Sequence, residues 1–306
     1  MGGQVTAVSA QPPKVLVAVR SRQERLALRI LLPTFLTVVV VATIPFVLAV
    51  IESLTREAEG FVGLDNYVRA LSNPSLYESL RQTAIYALVV VPAEVLLGLG
   101  LALLVHRTIR SAAVKATIYV LAIIPIAIPQ VAAGVVFRLI YAPEYGILNV
   151  ILEQLGLIDQ QILWLSVPAL AIFSVASVDI WQWTPFVYLV LFAGLQTVPQ
   201  EAVEAAQVDG ASSWAQFRHI ELPYIRPLIL LVLFFRIADV LRVFDHVFIL
   251  TGGGPGTTTQ FVSLYLYRIA FKFSDLAQAS ALAVMFMIAM TLFYTVITRF
   301  MPLERD

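Results

Sequence analysis

The chain contains no cysteine. Disulfides and thiolate metal sites are therefore excluded, and the redox compartment stays open. Its three histidines, His106, His219 and His246, lie far apart and show no metal-ligand spacing. Charge is scarce: 13% of residues are Asp, Glu, Lys or Arg, against about 25% in an average soluble chain. The formal net charge is zero, so no bulk field points to nucleic acid. Apolar residues fill the place of the missing charge, at 59% of the chain with a mean hydropathy of +0.86. A soluble fold would leave much of that surface against water, so the composition predicts an integral membrane protein. The N-terminus lacks the marks of a cleavable signal. Residues 1–29 are polar, carry Lys14, Arg20, Arg22, Arg25 and Arg29, and no small-residue cleavage site follows the first apolar run. A disordered tail over 1–29, leading into an uncleaved first span, is expected.

A membrane-spanning helix needs about 20 mostly apolar residues. Six stretches qualify, at about 30–51, 83–105, 117–140, 164–195, 225–250 and 280–300. They predict an all-α polytopic protein with one six-helix domain over 30–300. The fourth stretch is long enough to be tilted or broken, with Pro185 as the expected kink. The fifth carries charges and is the least lipid-like. Basic residues in short loops set orientation. The tail is basic, and the loop after the second span holds Arg107, Arg110 and Lys115 beside His106 with no acid. Residues 141–163 hold Glu144, Glu153 and Asp159 with no base. Both termini, including a short tail over 301–306, and the loop 196–224 are thus expected in the cytoplasm of a plasma-membrane protein. Segments 52–82, 141–163 and 251–279 are expected outside.

Within the loop, EAAQVDGASSWAQFRHIELPYIRP (204–227) crowds Glu204, Asp209, Arg218, His219 and Glu221 between apolar runs. Glu201–Val208 is rich in helix formers, and Gly210 fits the left-handed cap that ends a helix. Ser212 or Ser213 suits the N-cap of a second short helix reaching His219. Pro223 is expected to break the chain before the fifth span. Trp214, Phe217 and Ile220 give the second helix an apolar edge. Such an edge beside charge fits a protein partner, the membrane surface or a packed loop.

The pattern Glu204-Ala205-Ala206, then Gly210, then Ile220-x-Leu222-Pro223 resembles the EAA loop of bacterial ABC importer permeases. In that family the loop forms a coupling helix seated in a cleft of the ATPase subunit. The resemblance implies that Glu204, Ala205, Ala206, Asp209 and Gly210 make the coupling contact, and that the fold is that of a type I importer permease. A second stretch narrows it. Leu250-Thr251-Gly252-Gly253-Gly254-Pro255, with Thr258, Tyr265, Tyr267, Ala270 and Phe271, is similar to the outer loop of carbohydrate importer permeases of the maltose (MalF-like) type. The likeness covers nearly the whole chain from about residue 30. It lacks the extra N-terminal spans and outer domain of the enteric maltose subunit. The glycine run is not a phosphate cradle, since no lysine precedes a Ser/Thr in the required place and no strand leads into it. A flexible turn is the plain reading; contact with a solute-binding protein is what the resemblance implies.

Charged residues inside a span cost about 2.5–3.5 kcal/mol each on insertion scales and usually face a cavity or a partner. The fifth span carries Arg236, Asp239, Arg242 and Asp245, with His246 adjacent. Arg236 and Asp239 stand at i, i+3, as a structural ion pair or as a polar wall of a path. The fourth span offers Asp179, Trp181, Gln182, Trp183 and Phe186. Aromatic faces suit sugar C–H surfaces and amides suit hydroxyls, though tryptophan is also an ordinary interfacial anchor. Set beside the maltose-type pattern, Trp181, Gln182, Trp183 and Phe186 match its fourth-span solute site, and Arg236, Asp239, Val240 and Val243 its fifth. Only a tryptophan is the same residue type, which implies a different sugar or pose. Glu94, Gln130 and Arg138 are further intramembrane polar groups without an assigned role.

The expectation is a permease subunit importing a sugar, a disaccharide such as trehalose or maltose, by alternating access. The resemblance implies a second homologous permease, a homodimeric ATPase that binds ATP and Mg, an external solute-binding protein or lipoprotein, and surrounding membrane lipid. The chain has no Walker motif, so it is not expected to be an enzyme or to hold a cofactor itself. Three rivals stay open: a stand-alone secondary transporter, for which no repeated halves are visible; an intramembrane enzyme using Arg236, Asp239 and His246; and an importer of glycerol phosphate or a polyamine.

Overall fold

The computed structural model describes residues 14–57 and 59–300. α1 (Lys14–Ser53) begins upstream of residue 30, so the chain expected as a disordered tail is helical from Lys14 onward. The tails 1–13 and 301–306 lie outside the described residues. A two-residue ladder pairs β1 (Thr55–Arg56) with β2 (Gly60–Phe61), and α2 (Asp65–Leu71) follows. α3 (Pro74–Thr108) starts at an Asn73 cap whose side chain accepts from the Ser75 amide, with Pro74 in the first turn where a missing N–H costs nothing.

α4 (Ala112–Ala127) and α5 (Gln130–Ile140) meet at 92°. The sequence explains the bend. Pro129 pushes Ile128 into an extended conformation (ψ 125°), which no helix continues. The freed Ile128 carbonyl accepts from Gln182 Nε2 at 2.6 Å. α6 (Ile147–Gln154) is short. α7 (Pro168–Leu195) keeps Pro185 inside it and is the central helix: α3, α4 and α10 (Leu222–Val240) all pack on it. Gly98 makes the α3–α7 approach feasible, because a Cβ there would stand 2.6 Å from Val187 Cβ. Between α7 and α10 lie α8 (Gln200–Val208) and α9 (Ser213–Gln216). After α10 come α11 (Asp245–Leu250), α12 (Val262–Tyr267) and α13 (Leu276–Phe300), which packs on α1 and α2.

Among the described residues four helices are long and apolar enough to cross a membrane, or five if the bent α4–α5 pair counts as one span. Six were expected. α10 accounts for the shortfall: its 19 residues carry Arg226, Arg236 and Asp239, and the chain leaves the helix after Val240. The apolar window of α1 is entirely unburied within this chain, the surface expected of a helix that faces lipid.

Candidate functional site

Two constructions stand out, at different depths along the bundle. The first is the elbow between α7 and α10. α8 ends in a Schellman cap: Ala211 N–H donates to Ala206 O at 2.9 Å and Gly210 N–H to Gln207 O at 3.1 Å, with Gly210 at φ +77°. Ser212 then caps α9 by accepting from the Ala215 amide. Glu204, Ala205, Asp209 and Gly210 are exposed, and Ala206 is half-buried. Val208 and Trp214 are 88% and 66% exposed, whereas Phe217 is buried in the core and Ile220 half-buried. The expected apolar edge is thus divided: its tip faces outward and Phe217 roots it among Val105, Leu195 and Ile225.

Pro223 does not break the chain. α9 runs through a π turn (Phe217–Glu221), closed by Leu222 N–H on Phe217 O, directly into α10. Pro223 sits in the first turn of α10, where its lost donor is tolerated. Arg107, at the end of α3, clamps the junction by donating to Glu221 at 2.7 Å and to Ser213 O at 3.2 Å.

The second construction is a buried knot on Arg236. Its Nε and Nη2 donate to Glu94 at 2.6 and 2.8 Å, its Nη1 to Asp239 at 2.7 Å, and Nη2 also to Asp179 at 3.3 Å. Arg236, Glu94 and Asp179 are at most 2% exposed. The bidentate fork is the strong form of such a contact, and a charge this deep is tolerated only when paired and fully bonded. Tyr86 donates to Asp179 at 3.1 Å and lies 3.4 Å from His246 Nε2. Trp183 offers its ring to the guanidinium at 4.6 Å.

Beside the knot opens a cleft of about 480 Å³ walled by Trp183, Phe186, Arg236, Asp239, Arg242 and Tyr294 among others. Four of the expected path residues, Trp183, Phe186, Arg236 and Asp239, meet there. The other four do not. Trp181 packs edge-on against Phe137 at 5.1 Å, Gln182 is spent on the α4–α5 bend, and Val240 and Val243 are buried in the apolar core. Tyr294 and the leading role of Glu94 were missed; a carboxylate inside an apolar span was the available signal for Glu94. The glycine run is tied rather than loose: Thr251 and Thr259 hydroxyls stand 2.7 Å apart and Thr259 donates to Gly254 O at 2.8 Å. Among the described residues no group of His, Asp or Glu is arranged to hold a metal ion.

The chain is similar to known transport proteins. Residues 94–303 match the family described as binding-protein-dependent transport system inner membrane component. The trehalose/maltose transport system permease protein MalF of Thermococcus litoralis is 34% identical over 287 residues, covering 91% of this chain and 95% of that one. The trehalose transport system permease protein SugA of Mycobacterium tuberculosis is 34% identical over 272 residues, covering 87% and 85%. A bacterial ABC transporter involved in import of the acidic polysaccharide alginate has a chain of the same fold, at a TM-score of 0.80, with 21% identity and coverage of 95% and 99%. With two thirds of its length inside the family model and its helical bundle shared with an importer chain, this protein belongs to the inner-membrane components of binding-protein-dependent transport systems.

Proposed function

We propose that this chain is one of two homologous permeases in an ATP-driven importer of a disaccharide such as trehalose or maltose. The elbow over 196–224 faces the cytoplasm, together with both termini, and seats Glu204, Ala205, Ala206, Asp209 and Gly210 on one copy of a homodimeric ATPase. ATP and Mg are bound there, not in this chain. An external solute-binding protein or lipoprotein delivers sugar at the opposite end, around the tied glycine run. Sugar passes the cleft, where Trp183, Phe186 and Tyr294 meet its C–H faces and Asp239 accepts from its hydroxyls. Closure of the ATPase dimer shifts the elbow, and the permease pair alternates between outward and inward openings.

The observation that carries this reading is the elbow: the exposed α8, ended by its Gly210 cap, followed by the Ser212-capped α9, which joins without a break the helix that forms the cleft wall. The relatives' names supply the sugar. The test is uptake of labelled trehalose and maltose into proteoliposomes holding both permeases, the ATPase and the binding protein. Glu204→Arg is expected to reduce ATP-dependent uptake at least about tenfold, the loss of roughly 1.4 kcal/mol of contact, with assembly judged by co-purification. Uptake that proceeds on an ion gradient with no ATPase present would overturn the proposal in favour of a secondary transporter.

A further inference from the structure

At the end of the bundle away from the elbow, two cavities share one side chain. The first is polar, about 460 Å³, and runs between the starts of α3 and α13 and the π turn Arg268–Lys272. Arg268 and Lys272 are its cations. Among the described residues Arg268 is held by neutral acceptors only, Gln260 Oε1 and Gly252 O. Lys272 is exposed and has no partner among the described residues. The cavity's one acid, Asp275, is already paired with Arg69. The space therefore carries uncompensated positive charge.

The second cavity is an apolar groove of about 160 Å³ further along the same helices, walled by Leu76, Leu80, Leu266, Met285, Phe286 and Ala289 among others. Tyr265 lines both spaces. It is only 4% exposed, and its hydroxyl is buried without a hydrogen-bond partner. A buried hydroxyl left unpaired is costly unless something outside the chain meets it.

The axial order is what identifies the occupant. On α3 the lining passes from Asn73 and Ser75 to Leu76 and Leu80; on α13 it passes from Gln278 to Met285 and Ala289. At 1.5 Å per residue, Gln278 and Ala289 lie about 16 Å apart. That spans a headgroup zone and the first part of a hydrocarbon layer. Both helices are long and apolar enough to cross a membrane, and their first turns lie at this end. An acidic segment of another protein would satisfy the cations and leave the groove unused. We propose that the paired cavities bind an anionic phospholipid, its phosphate between Lys272, Arg268 and the Tyr265 hydroxyl, and one acyl chain along the groove.

The experiment is native mass spectrometry of the detergent-purified transporter complex with added phosphatidylglycerol, against phosphatidylcholine and soluble glycerol phosphate. Wild type is expected to retain phosphatidylglycerol in preference to both. Lys272→Gln should weaken retention about fivefold, the loss of one cation from a lipid-surface contact. Ala289→Trp, which fills an exposed stretch of the groove, should weaken phosphatidylglycerol without affecting glycerol phosphate. Tyr265→Phe keeps the packed ring, so a loss there reports the hydroxyl alone. Equal retention by wild type and all three variants would overturn the site. So would variants that keep the lipid but lose the external binding protein, since these cavities would then serve a protein contact.

Discussion

Removing Arg236 should damage this protein more than removing the carboxylate it holds most tightly. In Arg236→Met, Glu94 and Asp179 stay buried with no cation; breaking a buried pair in this way costs about 3–5 kcal/mol. In Glu94→Gln the guanidinium keeps Asp239 at 2.7 Å and Asp179 at 3.3 Å, so the loss is one charged hydrogen-bond pair, about 1.5–3 kcal/mol. The double variant removes the guanidinium and its chief partner together. Asp179 is then the remaining buried carboxylate, and Tyr86 still donates to it. Contacting residues of this kind couple by about 0.5–3 kcal/mol, so the double variant should be more stable than the sum of the single losses. Equilibrium unfolding in detergent, followed by tryptophan fluorescence, reads all corners of the cycle. Suppose Arg236→Met unfolds no more easily than Glu94→Gln and the coupling is zero. The knot would then be wet and loosely held, not a dry ion cluster in which each charge depends on the others.

Other outcomes follow from particular contacts. Gly210→Val places a β-branched residue at φ +77° with open space around it, so strain of about 1–2 kcal/mol acts through the backbone alone. ATP-driven uptake should fall, and Gly210→Asn, which tolerates this conformation, should retain most of it. Trp183→Ala should depress uptake with the complex intact, because the ring lines the cleft; Trp181→Ala, packed on Phe137, should instead lower thermal stability. Gly98→Ala puts a methyl 2.6 Å from Val187 Cβ and should destabilise the α3–α7 crossing by about 1–3 kcal/mol, measured as a lower unfolding midpoint.

Local features of the elbow were legible because their causes are local. Gly210 needs a left-handed turn, and Ser212 needs only its own next turn to cap. Pro223 misled for a related reason: a proline reads as a breaker until one knows whether it falls in a first turn, and the preceding π turn placed it there. The knot was half visible. Arg236 and Asp239 announce themselves at i, i+3, but Glu94 is brought to them by topology across 142 residues. Among the aromatic residues, helical rotation held an unused clue. Residues two apart differ by about 200° around a helix, so Trp181 and Trp183 had to face different surroundings. Val243 was expected on the fifth span, but α10 ends at Val240 and Val243 lies beyond it, packed in the apolar core.

The two constructions are one mechanical object. α3 and the α10 arm are tied at two points: Glu94 to Arg236 deep in the bundle, Arg107 to Glu221 at the elbow. Along α3 the ties are 13 residues apart, about 20 Å, and from Glu221 to Arg236 they are 15 apart, about 22 Å. Ties so closely matched in spacing let the two helices run antiparallel as a stiff pair, with the buried Ile225 and Val232 packed among Val187, Leu191 and Leu195 of α7. A hinge at the elbow junction would need Glu221, 3% exposed, to leave its cation, and Phe217 to leave the core. Both moves expose groups whose burial holds the junction together. A displacement of the elbow would therefore be carried up α10 as rigid-body motion, reaching the cleft first at Leu231, Val232 and Phe234 and then at Arg236 and Asp239. The charge in α10 that costs the helix its lipid character is the same charge that fastens it to α3.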